Sequence, residues 1–168
     1  MLAVSNTSPV SNLASIGRLD LLKSQFPVIW IPTGVAGELA AHPDPAAAMD
    51  IQAAIREQWI RTATPGDSRL LNVLLLDLHR GEAEAIALAS EMSADMVLID
   101  EREGRQIAIK AGLSVTGGLG ILLRAKKMGM IDAVKPEILS LRRRARFFLS
   151  ASLEARVLAS AGELDNDE

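Results

Sequence analysis

The stretch Met96-Val97-Leu98-Ile99-Asp100-Glu101-Arg102 decides the fold. Four apolar residues in a row, two of them β-branched, read as a strand buried on both faces. The run stops at two adjacent acids. A helix over Arg102–Ala111 follows and Gly112 closes it. Outward from this point the same alternation recurs. Leu2–Ser5, Val28–Ile31, Trp59–Ala63 and Leu113–Thr116 read as further short strands. Between them lie helical patterns over Val10–Ile16, Arg18–Ser24, Pro32–Ala40, Ala46–Gln58 and Glu82–Met92. A Leu-rich helix capped by Asp67 or Ser68 runs to Leu78, and three helices follow the last strand, over Ile121–Met128, Pro136–Arg146 and Ser152–Ala161. Such alternation predicts an α/β fold, with a parallel sheet covered by helices on both faces. Sites in such sheets lie beyond the carboxyl ends of the strands. The residues placed there are Ser5, Asn6, Thr7 and Ser8 after the first strand, Asp100 and Glu101 after the quoted one, and Thr116, Gly117 and Gly118 after the last.

Composition bounds the chemistry. A chain of 168 residues with 49% apolar content makes one domain with a real core. The absence of cysteine excludes a disulfide scaffold, a zinc ribbon and a thiol nucleophile. Only His42 and His79 are available as imidazoles, so a three-histidine metal site is excluded as well. Aromatics are 3% with no tyrosine, which argues against a multi-aromatic RNA platform. Carboxylates are plentiful, at 21. No targeting or membrane-spanning segment is expected, which points to the cytoplasm.

The net charge of −3 conceals an uneven distribution. Residues 1–123 sum to −5, residues 124–146 to +6 and residues 147–168 to −4. The basic block holds Arg124, Lys126, Lys127, Lys135 and the cluster Arg142, Arg143, Arg144 and Arg146, of which Arg124, Lys126, Lys127, Arg142, Arg143 and Arg144 are the candidate RNA contacts. It reads either as a surface for a phosphate backbone or as solvated helix ends complementing the dipole. Asp165–Glu168 reads as a frayed acidic tail.

Among the acids, Asp100 is open to two readings, a helix N-cap or a ligand for a hard cation. Glu82 and Glu84 stand about 200° apart around one helix, so only one can face a given site. Glu38, late in its helix, opposes the macrodipole and is harder to explain as helix support. Gly117-Gly118-Leu119-Gly120 lacks the lysine of a phosphate loop and reads as a tight turn, with a nucleotide-binding protein as the weaker reading.

Taken in order, these segments are specific as a set. Val4-Ser5-Asn6-Thr7-Ser8-Pro9 with Leu13 and Ile16–Leu22, Ile31-Pro32 through Glu38-Leu39, Gly81–Ala89, Leu98–Arg102 with Gly104-Arg105, and Val115-Thr116-Gly117 together resemble a PIN domain. The resemblance is to the prokaryotic subgroup related to toxin ribonucleases of toxin–antitoxin pairs. It covers roughly residues 1–130 and leaves 131–168 as a helical extension on the same domain. It implies a Rossmann-like parallel sheet and a ribonuclease dependent on Mg2+ or Mn2+. Glu38, Glu82 and Asp100 become its metal acids and Glu101 a further catalytic acid, while Thr7, Ser8 and Thr116 support them. It also implies RNA as substrate, a small antitoxin as partner, and a homodimer, for which the helix over Leu70–Leu76 offers a face. One position departs from the wider pattern: Asn6 stands where an acid normally follows the first strand. A neutral amide removes one charge from a hard-cation site. The alternative is therefore a non-catalytic module that binds RNA or protein.

Overall fold

Alternating side chains set how each strand is used. The computed structural model describes residues 1–66 and 68–164. Its strands are β1 (Ala3–Ser5), β2 (Ile29–Pro32), β3 (Ile60–Ala63), β4 (Met96–Leu98) and β5 (Val115–Thr116). They form one sheet in the order β3-β2-β1-β4-β5, and every pairing is parallel. Ala3, Ile29, Ile31 and Leu98 bury into one helical layer, while Val4, Val97 and Ile99 bury into the other. That is the period of two expected of a strand covered on both sides.

The first layer contains α1 (Thr7–Ser15), α2 (Leu19–Gln25), α3 (Thr33–Ala40), α4 (Pro45–Arg56), α8 (Gly118–Lys127), α9 (Lys135–Arg144) and α10 (Ala151–Ala161). The second contains α5 (Arg69–Leu74), α6 (Arg80–Glu91) and α7 (Arg102–Lys110). α6 is buried all round from Glu82 to Ala89 and packs against β1, β2 and β4. Ala83, Ala85, Ala87 and Ala89 are fully buried and lie on opposite faces of α6, so small side chains let neighbours pack closely on both. α9 and α10 bury Ile138, Leu141, Val157 and Leu158 in the same core as the sheet's first face. No helix among the described residues is long and apolar enough to cross a membrane.

Several boundaries shift from the sequence reading. α1 starts at Thr7 rather than Val10. Pro9 falls in its first turn, where a backbone N–H has no intrahelical partner, so the missing donor costs nothing. α6 starts at Arg80 rather than Glu82, which places Glu82 three residues in. α5 stops at Leu74, short of Leu78. Its cap is Ser68, whose hydroxyl accepts the Leu71 N–H at 3.0 Å. Asp67, the other cap candidate, and the tail Asp165–Glu168 lie outside the described residues.

β1 has β2 on one side and β4 on the other. The chain winds outward in both directions from this pair, so the crevice of a doubly wound sheet opens at the carboxyl ends of β1 and β4.

Candidate active site

The crevice is built from the residues that leave β1 and β4. Asn6 follows β1 directly and caps α1; its backbone N–H donates to Leu98 O of β4 at 3.1 Å. This bond holds the two strand ends side by side. The Asn6 side chain is 3% exposed, and its Nδ2 donates to Glu101 Oε2 at 2.8 Å. A carboxylate only accepts, so the amide must turn its NH2 toward Glu101. Its oxygen is thereby aimed elsewhere, and Asn6 Oδ1 is buried without a hydrogen-bond partner among the described residues. The Ser8 hydroxyl donates to the other oxygen of Glu101.

Asp100 is held from different elements. Its Oδ1 accepts the Gly118 N–H at 2.6 Å, at the start of α8. Its Oδ2 accepts Asn12 Nδ2 at 3.0 Å, from α1. A Cβ on Gly117 would stand 2.5 Å from Asp100 Oδ1 and 3.0 Å from Ile99 O. Glycine is therefore what admits the carboxylate here. The glycine turn is a close-packing device for an acid, as its missing lysine suggested.

Glu82 is buried in the first turn of α6, where Oε2 accepts the His79 N–H at 3.2 Å. Its side chain lies against Gly104 of α7. Glu84 points the other way. It pairs with Arg80 Nε at 2.8 Å and lies against Gly34 of α3. The helical geometry that separates the two acids thus assigns only Glu82 to the crevice. Glu38 accepts the Thr7 hydroxyl and lies exposed near Gly81. Thr116 lies at the end of β5, in the same cleft as Asp100 and Glu101.

Burial and like charge act together on two of these acids. Burial pushes the Glu82 carboxyl above its ordinary range, and the charge of Glu101 pushes it further. Burial also raises Asp100; the donors on Gly118 and Asn12 oppose the rise, Glu101 adds to it, and Arg105 offsets it slightly. Glu101 is thus the common neighbour. It touches Asn6 and Ser8 by hydrogen bonds, and Glu82 and Asp100 through its field.

The structure brings Asn6, Ser8, Glu82, Asp100 and Glu101 to one end of the sheet, with Thr7 and Glu38 at its flank. Among the described residues, no group of three or more histidines and carboxylates is drawn together into a cluster that could hold a metal ion. Sequence reading missed Asn12, since an exposed-looking asparagine one turn into a helix carries no local signal. His42 and His79 take loop roles: His42 Nδ1 accepts the Asp44 N–H at 3.0 Å, and the His79 backbone serves Glu82.

The basic candidates divide. Lys126 is tied to Glu163 and the Ala161 carbonyl, both at 2.7 Å, and Arg142 is tied to Glu154. Arg124, Lys127, Arg143 and Arg144 are exposed, away from the lining of the acidic cleft.

A family model described as a PIN domain matches residues 2–163. No curated protein matches the chain.

Proposed function

The chain belongs to the PIN-domain family, and from that premise we propose a divalent-metal-dependent ribonuclease that serves as the toxin of a toxin–antitoxin pair in the cytoplasm. PIN domains are typically nucleases and generally use divalent metals. The observation that carries the proposal is the buried oxygen of Asn6, left without a partner, at the end of the sheet where Asp100 and Glu101 also emerge. These are hard oxygen donors, anionic and neutral, of the kind Mg2+ and Mn2+ take. Glu38, Glu82 and Asp100 are the proposed metal acids, with Asn6 Oδ1 as a neutral ligand. When bound, the ion supplies positive charge that polarises a phosphodiester and makes water a stronger acid.

The chain's own residues prepare that site. Gly118 N–H and Asn12 fix both oxygens of Asp100, so it presents one orientation. Ser8 and Asn6 fix Glu101, the fourth acid, whose charge keeps Glu82 and Asp100 proton-hungry and receptive to a cation. Thr7 steadies Glu38, and Thr116 lines the floor. RNA cleavage tests this directly. An unstructured RNA is cut in Mn2+ or Mg2+ by the wild type, and Asp100→Asn and Glu82→Gln each lose activity by about 100-fold or more, in line with losing a positioned charge. Metal-dependent cleavage unchanged in both variants would sink the site.

Asn6 itself favours a second reading, a non-catalytic module that binds RNA or protein, because it removes one charge. RNA binding without turnover at any metal concentration would establish that reading instead. Two partners complete the proposal. An antitoxin offers a cationic side chain to the acids; a complex that leaves Asp100 open would contradict this. A second copy of the chain covers the apolar face made by Leu70, Val73 and Leu76, of which Val73 is 60% and Leu76 81% exposed.

A further inference from the structure

A cleft of about 1040 Å³ runs from Asp100 and Glu101 to the segment that links α9 to α10. Its lining holds two acids, Asp100 and Glu101, and four arginines: Arg102 and Arg105 beside the acids, Arg146 and Arg156 from the α9–α10 side. Arg105 donates to the Ile99 carbonyl at 3.0 Å. Arg102, Arg146 and Arg156 are exposed and hold no hydrogen bond or ion pair with the described residues. Beside them stands Phe148, 88% exposed, while its neighbour Phe147 packs against the core.

The backbone adds a second observation. Arg146 has a φ of +50°, in the left-handed region. Helix ends commonly place glycine in this conformation, and a residue with a side chain is strained there. This conformation turns the chain out of α9, after which Phe147 packs on the core and Phe148 lines the cleft.

We propose that Arg146, Phe148 and Arg156 form the reading wall of the substrate path: Phe148 stacks on a base of single-stranded RNA, and the two arginines take phosphates flanking it. This rests on the ribonuclease reading and extends it to residues outside the acidic centre. Charge complementarity selects the occupant. Unpaired Arg102, Arg146 and Arg156 in one cleft with two acids suit a polyanion whose one phosphate reaches the acids. A ring face that accepts any base suits a sequence-tolerant single strand. A duplex keeps its bases stacked inside and offers none to Phe148. Of the basic cluster Arg142, Arg143, Arg144 and Arg146, only Arg146 lines this cleft; Arg156 joins it from α10.

The test uses the full chain and a fluorescein-labelled 12-nucleotide oligouridine, titrated in EDTA by fluorescence anisotropy at several salt concentrations. Phe148→Ala weakens binding by about 10-fold, as loss of one base stack does, and Phe148→Trp keeps it. Arg156→Ala and Arg146→Gly each lower the slope of log affinity against log salt by about 0.7, the single-strand value for one phosphate contact. Arg146→Gly relaxes the backbone, so its loss cannot be assigned to misfolding. In Mn2+, Phe148→Ala raises KM and leaves kcat unchanged. Affinity, salt slope and KM all unchanged in Phe148→Ala and Arg156→Ala overturn the proposal. So does a wild type that dimerises through Phe148, seen as self-association lost in Phe148→Ala with RNA affinity intact. Failure of the ribonuclease reading looks different: oligouridine binds through Phe148, yet no metal-dependent cut appears.

Discussion

Replacing Asn6 by aspartate restores the acid at the end of β1 and reverses one contact. In the wild type Asn6 Nδ2 donates to Glu101 at 2.8 Å. In Asn6→Asp two carboxylates meet there. The loss of a hydrogen bond to a charged acceptor costs about 1.5–3 kcal/mol. Two unit charges about 4 Å apart repel by up to ~4 kcal/mol at an effective dielectric of 20. Glu101 is only partly buried, so solvent reduces the second term, and we expect a total near ~3 kcal/mol. In a chain of this size that is a fall of roughly 6–12 °C in Tm. The sign with pH follows from the pair. Repulsion raises the folded-state pKa of the two acids together, so the penalty is full at pH 8. It fades as pH falls and one of them takes a proton, which can then bridge the pair. A divalent cation relieves it too. Thermal melts of wild type and variant in EDTA and in MnCl2, at pH 5 and pH 8, check all three statements. If Asn6→Asp melts with the wild type at pH 8 in EDTA, Asn6 does not face Glu101 as described. In Mn2+ the variant cleaves RNA at least as fast as the wild type.

Other perturbations follow from the same site. Gly117→Ala places a methyl 2.5 Å from Asp100 Oδ1 and 3.0 Å from the Ile99 carbonyl; overpacking of this kind costs about 1–3 kcal/mol, and RNA cleavage falls more steeply than stability, as activity and urea melts together show. Glu82 and Asp100 both have raised pKa values, so their contribution to stability of the metal-free protein falls as pH rises from the ordinary carboxylate range through the folded values; Mn2+ therefore raises Tm more at pH 8 than at pH 5, and an equal increment at both would count against these acids as ligands. Glu84→Gln, turned away beside Arg80, leaves the metal-induced rise in Tm intact where Glu82→Gln abolishes it. If the proposed dimer forms through Leu70, Val73 and Leu76, Val73→Glu with Leu76→Glu makes it a monomer in light scattering without changing the far-UV spectrum.

The sheet was legible because each strand is a short run of apolar residues between turn signals, and the apolar run that carries β4 stops where Ile99 gives way to Asp100. The strand-end rule then located Asn6, Ser8, Asp100 and Glu101 without any tertiary information. Glu82 was separable from Glu84 by the pitch of a helix alone. Other features needed the folded chain. Glu101 reads as a spare acid beside Asp100, and its contacts to Asn6 and Ser8 cross more than ninety residues. Asn12 serves Asp100 across 88. Nothing local marks either contact. The run at Arg142–Arg144 drew attention by density, yet Arg142 is spent on Glu154, while the cleft takes Arg102 and Arg156, which are isolated in sequence. Helix starts read three residues late at Thr7 and two late at Arg80, because the polar Thr7-Ser8 pair and Gly81 carry no apolar periodicity, although both fit inside a first turn.

β1 is the central strand of the site and the first to be made. Its partner β4 and the acids that follow emerge more than ninety residues later. At a ribosomal pace of about 5–20 residues per second, that is a delay of about 5–20 s. Throughout it Asn6, Thr7 and Ser8 exist without Asp100 and Glu101, and the nascent chain has no complete acid cluster. If the proposed toxin reading holds, an enzyme built in this order stays inactive until β4 and the acids after it emerge, an interval in which the proposed antitoxin could already be waiting when the crevice closes.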